Sequence, residues 1–175
     1  MHIDNFIELA FGGGCHWCTE AVFQSLKGVF GVRQGWISHT GEEKDFSEAV
    51  LIKFNPEIIS MEMLIKIHLD THSSASNHAM RKKYRSAVYA LSSESSNAVG
   101  HILTKCIKHY KKDICTQVLI MTKFKQNVEY QNYYYTNPKR EFCKRYIKPK
   151  LQLVMNQYAE YAKHDKISAA IAEQR

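Results

Sequence analysis

A largely apolar run over residues 6–11 ends in Gly12-Gly13-Gly14 and passes through Cys15-His16-Trp17-Cys18-Thr19-Glu20 into Ala21-Val22-Phe23-Gln24-Ser25-Leu26. Such a run, cut by three glycines and followed by helix-forming residues, dictates a strand, a turn and a helix. Glycine admits the close backbone approach or positive φ that the corner demands. Cys15 then stands at the helix N-terminus, where unpaired N–H groups and the helix dipole favour an anion. For a cysteine that anion is the thiolate. A free thiol with a pKa of about 8.5 is only a few per cent ionised at pH 7, and lowering it to roughly 7 raises the reactive fraction about tenfold. Most buried cysteines behave as small apolar residues. That role does not account for three glycines, or for Cys18 one helical turn further on.

Residues 6–11, 29–38, 46–54, 84–91 and 117–121 are rich in β-branched and aromatic side chains and are expected to be strands. Residues 17–26, 60–72 and 93–110 carry helical patterns, the second capped by Ser60 with a stripe of Met63, Leu64 and Ile67. The order β-α-β-β-α-β-α-β predicts an α/β fold, a ferredoxin-like two-layer sandwich with a mixed sheet and helices packed on it. Residues 73–83 are polar and read as a loop feeding the strand of Tyr84. Four tyrosines fall between residues 129 and 135, and Asn137-Pro138 ends that segment. With 175 residues, 45% of them hydrophobic, one core suffices. Residues 1–158 are expected to form a single domain, and residues 159–175 a C-terminal tail with a marginal helix.

The net charge of +7 gathers in Arg81-Lys82-Lys83, Lys111-Lys112, Lys139-Arg140 and Lys144-Arg145. These clusters are short, scattered and follow no nucleic-acid-binding motif. They read as solvated basic surface, and no nucleic-acid partner is expected. No apolar run is long enough to span a bilayer, and the first residues lack the basic-then-apolar pattern of a secretory leader. A cytoplasmic location with no membrane partner is expected. The five cysteines, at positions 15, 18, 106, 115 and 143, are odd in number and sparse. That usage suits a reducing compartment and catalytic thiols.

Three patterns stand together: Gly14-Cys15-His16-Trp17, Ser47-Glu48-Ala49-Val50 on a strand, and Tyr84-Arg85-Ser86-Ala87-Val88-Tyr89 on a later strand. Together they resemble the peptide methionine sulfoxide reductase A family, whose pattern is Gly-Cys-Phe-Trp, then His-Ala-Glu, then Gln-Tyr-Arg-Ser-Ala-Ile. Glu20, Phe54-Asn55-Pro56, Thr71-His72, Gln131 and Asn137-Pro138 match as well, so the resemblance covers roughly residues 6–150. It implies reduction of the S epimer of methionine sulfoxide, free or in proteins, as repair of oxidative damage. Thioredoxin or another dithiol would be the reductant, with no cofactor and no metal. A sulfoxide oxygen leaves only when protonated, so the site needs a thiolate for the sulfur and an acid for the oxygen. The resemblance assigns these roles to Cys15 and Glu48. A carboxyl ordinarily ionises near pH 4.3, so an acid working at neutral pH needs apolar surroundings. Tyr84 is expected to hydrogen-bond the same oxygen, and Trp17 and His16 to bind the substrate methyl group. A second thiol then converts the Cys15 sulfenic acid to a disulfide. Cys18 is favoured over Cys143 because it shares a helix face with Cys15, whereas Cys143 needs a mobile segment and would rely on Lys144 and Arg145 to activate it. Cys106 and Cys115 are set aside as buried or distant.

The chain departs from the family pattern at defined places. His16 stands where the family has phenylalanine. The segment between Trp36 and Ser47 is shorter than the family's and lacks tyrosine, so the second oxygen-binding hydroxyl is missing. Ala79 replaces an aspartate, and Glu129-Tyr130-Gln131 replaces Tyr-His-Gln. His16, His39, His78 and Tyr133 are candidates to compensate, and the sequence does not choose among them. Three other functions compete with this one. Cys15-His16-Trp17-Cys18 is also the Cys-x-x-Cys motif of a general thiol–disulfide oxidoreductase, which does not predict the glutamate or Tyr-Arg-Ser motifs. A non-catalytic paralogue that binds oxidised peptides is consistent with the lost tyrosine and aspartate. A zinc module using Cys15, Cys18 and two histidines lacks the second ligand pair that such sites carry.

Overall fold

The computed structural model describes residues 5–175. Strand β1 (Ile7–Gly12) runs antiparallel between β3 (Glu42–Phe54) and β4 (Ala87–Ala90). β2 (Val29–His39) pairs antiparallel with β3, so four strands stand in the order β4-β1-β3-β2, the order expected of a ferredoxin-like βαββαβ unit. β5 (Gln117–Gln126) lies parallel to β4 and antiparallel to β2, which makes the sheet mixed and closes it into a ring. Helices α1 (His16–Gln24), α2 (Met61–Thr71) and α3 (Ser93–Ile107) connect successive strands. After β5 come α4 (Tyr133–Thr136), a π-helical stretch (Cys143–Ile147), α5 (Lys148–Gln157) and α6 (His164–Ala172). Among the described residues no helix is long and apolar enough to cross a membrane.

Alternation along the strands divides the apolar side chains between two cores. Ala10, Ile37, Ala49, Leu51, Ala87 and Tyr89 fill the inside of the ring, the small residues leaving room for the Tyr89 ring. Leu9, Phe11, Val50, Ile52 and Val88 face outward beneath the helices. There α1 buries Ala21, Val22 and Phe23 almost completely, and Phe23 stacks on Phe11 of β1 with ring centroids 4.6 Å apart. A fully buried Val, Leu or Phe contributes about 1.5–3 kcal/mol. The helix that carries Cys15 is thereby anchored to the strand that delivers it. The segment read as a C-terminal tail contains α6, whose Ile167 and Ala170 join the same outer core.

Two local expectations need correction. Tyr84 lies outside the strand, which is confined to Ala87–Ala90, and follows a 3-10 turn over Ala79–Lys82. Before that strand, Lys83 and Arg85 bond to the middle of β3, the Lys83 carbonyl accepting the Glu48 N–H at 2.9 Å and the Arg85 N–H reaching Ser47 Oγ at 2.7 Å. The shortened segment between Trp36 and Ser47 is largely strand: β2 and β3 meet in a hairpin with His39 opposite Glu42 and Gly41 at φ +90°.

Candidate active site

Cys15 stands at the N-cap of α1, its carbonyl accepting the N–H groups of Cys18 at 3.1 Å and Thr19 at 3.2 Å. The corner before it needs close approach and not a positive φ. A Cβ on Gly12 would lie 2.9 Å from the carbonyl oxygen of Arg85 and 3.0 Å from that of Glu48, and one on Gly13 would enter the His72 ring. Two histidines at the C-terminal end of α2 support this corner: the buried His68 donates from Nε2 to the Gly12 carbonyl at 2.8 Å, and the half-buried ring of His72, the residue that caps the helix, stacks on His68 with centroids 4.1 Å apart.

The half-buried Cys15 thiol is held below the ordinary cysteine range. The largest cause is a hydrogen bond from the Cys18 thiol; the N–H groups of Trp17 and Cys18 add to it, while burial and the Glu48 charge oppose. The same bond, together with burial, pushes Cys18 far up, so Cys18 keeps its proton while Cys15 gives its own away. The helix terminus alone was expected to do this. The neighbouring thiol outweighs it.

A cavity of about 340 Å³ opens beside Cys15, with Cys18, Val22, His72, Tyr84, Phe142 and Lys150 in its wall. Tyr84 reaches it because Arg81 donates to the carbonyls of Gly13 and Tyr84, both at 2.9 Å, and of Ser76 at 2.7 Å. Ser47 Oγ donates to the Lys83 carbonyl at 2.9 Å and accepts the Arg85 N–H at 2.7 Å. The Arg81-Lys82-Lys83 cluster is therefore more than solvated surface. Arg81 turns inward, and the exposed Lys83 places Nζ 3.8 Å from Glu48 Oε1.

Glu48 follows the β3 alternation onto the face of Val50 and Ile52, beneath α1, and is 8% exposed. Its Oε2 accepts the main-chain N–H of His16 at 3.0 Å. The His16 ring is buried, with Nδ1 2.9 Å from the Gly35 carbonyl, Nε2 3.8 Å from Glu48 Oε2, and the Trp36 ring edge-on at 5.3 Å. Trp17 lies toward the C-terminal segment, face to face with Tyr133 and edge-on to Phe142 at 5.4 Å. Cys15, Cys18 and Tyr84 thus line the cavity, while Glu48, His16 and Trp17 lie outside its wall. Of the residues named as substitutes for the missing tyrosine, His16 adjoins Glu48, His78 lines the cavity, Tyr133 covers Trp17, and His39 sits at the β2–β3 hairpin.

Cys143 is buried in the π-helical stretch, its Sγ 3.7 Å from the Asn137 carbonyl. Burial pushes its thiol up, and Arg140 opposes this in place of the expected Lys144 and Arg145. Cys106 is buried in the outer core, and Cys115 is half-buried before β5 with its thiol toward the Ser76 carbonyl.

Two contributors were given no role from the sequence, Glu20 being noted there only as a match to the family pattern. Glu20, fully buried, accepts the N–H groups of Asn132 and Tyr133 at 2.9 Å each and Gln34 Nε2 at 3.0 Å, and burial holds its carboxyl above the usual range. A glutamate among the apolar residues of α1 was the available signal. Lys150 brings a largely buried ammonium group to the cavity, where it donates to the Thr71 carbonyl; nothing in its Lys-Pro-Lys context marks it. Among the described residues no cluster of three or more His, Cys, Asp or Glu could hold a metal ion.

Comparison with known proteins agrees with this geometry. The sequence profile of the family "Peptide methionine sulfoxide reductase" matches residues 7–163. The chain is 32% identical to the peptide methionine sulfoxide reductase MsrA of Nitratiruptor sp. over 86% of its own length and 95% of that protein. It is 30% identical to the MsrA of Deinococcus radiodurans over 87% and 82% respectively. The fold is similar to that of methionine sulfoxide reductase A of Corynebacterium diphtheriae, with a TM-score of 0.64 at 18% identity over 79% of this chain and 78% of that one. It is also similar to reduced Mxr1 of Saccharomyces cerevisiae, with a TM-score of 0.62 at 20% identity over 79% and 89%. A matching profile across the Cys15 corner, Glu48 and Tyr84, and relatives aligned over nearly their whole lengths, place the chain by common descent: it belongs to the peptide methionine sulfoxide reductase family.

Proposed function

We propose that the chain reduces methionine-S-sulfoxide, free or in proteins, as repair of oxidative damage in the cytoplasm. The observation that carries this reading is the pairing at one sulfur of a proton-holding neighbour, Cys18, which favours the Cys15 thiolate, with a buried carboxyl, Glu48. The thiolate supplies an electron pair, the sulfoxide S–O bond breaks, and an S–O bond forms on Cys15. Glu48 gives the proton that the oxygen needs, with Tyr84 as hydrogen-bond donor to it. The products are the thioether and Cys15 sulfenic acid. Cys18 then displaces water to form the disulfide. Trp17 supplies apolar contact for the substrate methyl group. A thioredoxin-type dithiol restores the thiols, a role supported by the related yeast fold having been solved in complex with Trx2. No cofactor enters this cycle.

A racemic methyl sulfoxide incubated with dithiothreitol and resolved by chiral separation tests the reading. The S form should disappear and the R form persist. Catalysis of dithiol–disulfide exchange with both sulfoxides left intact would assign the chain to general thiol–disulfide chemistry.

A further inference from the structure

The cavity beside Cys15 holds two polar groups that the transfer of oxygen leaves unused. One is the Lys150 ammonium. It has three N–H donors, and the structure gives it one acceptor, the Thr71 carbonyl. Among the described residues no carboxylate pairs with it. The neighbouring Arg81 is differently placed, its guanidinium already donating to the carbonyls of Gly13, Ser73, Ser76 and Tyr84. The other group is His68, which is 1% exposed. Its Nε2 donates to the Gly12 carbonyl at 2.8 Å, so Nδ1 is the bare acceptor of a neutral ring, and that atom is buried with no hydrogen-bond partner. A buried acceptor on a residue of the cavity wall calls for a donor from outside the chain. Between these groups and the reacting sulfur the wall includes apolar Val22 and Phe142. The cavity follows α1 from Cys15 past Cys18 to Val22, two turns or about 10 Å. An extended methionine sulfoxide spans about 5 Å from its sulfur to its carboxyl carbon. The length and the volume of about 340 Å³ therefore admit one amino acid.

We propose that this cavity is an amino-acid site for free methionine sulfoxide, in which Lys150 binds the α-carboxylate and His68 Nδ1 accepts a hydrogen bond from the α-ammonium. The inference rests on the reading of the chain as a sulfoxide reductase and narrows its substrate. A cation with two open donors matches a carboxylate, and a bare ring nitrogen matches an ammonium group. Within a polypeptide both charges are replaced by neutral peptide groups. A protein-bound methionine sulfoxide therefore loses both contacts, and the site selects the free amino acid.

The test is single-turnover reduction without reductant, so that recycling of the thiols plays no part, over a range of sulfoxide concentrations. Four S-sulfoxides are compared: free L-methionine sulfoxide, its N-acetyl derivative, its methyl ester, and the form capped at both ends. In wild type each cap should raise the half-saturating concentration about tenfold, with little change in the rate at saturation. Lys150→Met should shrink the ratio between the ester and the free form to about one, and Lys150→Arg should keep it. Reduction of none of the four by wild type would overturn the reductase reading itself. Reduction of all four with equal half-saturation would overturn the amino-acid site alone. Equal values for the free and N-acetyl forms would make this a carboxylate site open to C-terminal residues, and would overturn the assignment to the free amino acid. Calorimetry with L-methionine, which is not turned over, gives a reading independent of activity. Its binding should weaken about tenfold in Lys150→Met and about tenfold on esterification in wild type. Equal binding of methionine and its methyl ester to wild type overturns the proposal, however the Lys150 variants fold.

Discussion

Trp17 and Tyr133 lie face to face, with ring centroids 4.0 Å apart and planes 8° from parallel. Glu20 is what holds them so. Its two carboxylate oxygens take the N–H groups of Asn132 and Tyr133, and Asn132 at φ +59° is the one non-glycine residue in the left-handed region among the described residues. A buried charge one turn into α1 thereby fixes the turn that brings an aromatic cover onto the neighbour of Cys15. Burial alone disfavours that charge; three donors offset the cost.

Glu20→Ala should therefore destabilise the fold by about 2–4 kcal/mol, since it orphans main-chain donors and leaves a void. Urea unfolding should show a lower midpoint, and limited proteolysis should open the chain near residues 128–136 first. An unchanged midpoint would mean that the turn holds its shape without Glu20.

Below neutral pH the two histidines beneath the Cys15 corner set the stability. Burial pushes His72 down to about 4 and His68 well below its usual value. The unfolded chain takes up these protons near pH 6.5 while the folded chain refuses them, so stability is full above about pH 6.5 and falls as pH drops toward 4. For His72 alone the loss between pH 6.5 and 5 is on the order of 2 kcal/mol. Urea midpoints measured across that range should slope downward, and His72→Gln should flatten the slope. A wild-type profile already flat there contradicts the assignment.

Much of this arrangement was legible in the residues themselves. The corner at Cys15 was, because three glycines between a strand pattern and a helix pattern leave few alternatives, and the structure shows why Gly12 and Gly13 have no room for a Cβ. The four-strand order followed from the sequence of elements. Closure by β5 did not, since apolar alternation says which face is buried but not which edge a strand will join. Tyr84 was placed on a strand because residues 84–91 are rich in β-branched and aromatic side chains; the inward turn of Arg81 that draws it off the sheet looks, in sequence, like any basic surface residue. The largest influence on the Cys15 thiol is a contact with Cys18, which helical spacing permits, though spacing cannot rank it above the helix terminus.

Cys15→Ser should abolish sulfoxide reduction with the fold intact, because a serine hydroxyl is essentially un-ionised at neutral pH and the site offers Cys18 only in its protonated form. Methionine formed per enzyme in the absence of reductant is the measure. About one methionine per Cys15→Ser chain would show that another group is the nucleophile.

The thiol that resolves the sulfenic acid should be Cys18. Its hydrogen bond already brings it to the Cys15 sulfur, and the Cys15 negative charge that helps keep it protonated vanishes once that sulfur carries oxygen. Lys150, whose ammonium lies in the same cavity and acts to lower Cys18, then favours the attacking thiolate. Cys143 starts worse placed. Burial raises its thiol, its Sγ is turned to the Asn137 carbonyl, and it is held in a π-helical stretch packed on α1. Peptide mapping after one turnover, with sulfoxide and no reductant, should recover a Cys15–Cys18 disulfide, and Cys18→Ala should instead leave sulfenic acid that the sulfenic-acid-selective probe dimedone captures on Cys15. Lys150→Met should slow disulfide formation about tenfold without changing the yield of methionine in the first turnover. A Cys15–Cys143 bridge in wild type, unaltered in Cys18→Ala, would transfer the role to the C-terminal thiol and require the segment around Asn137 to move in every cycle.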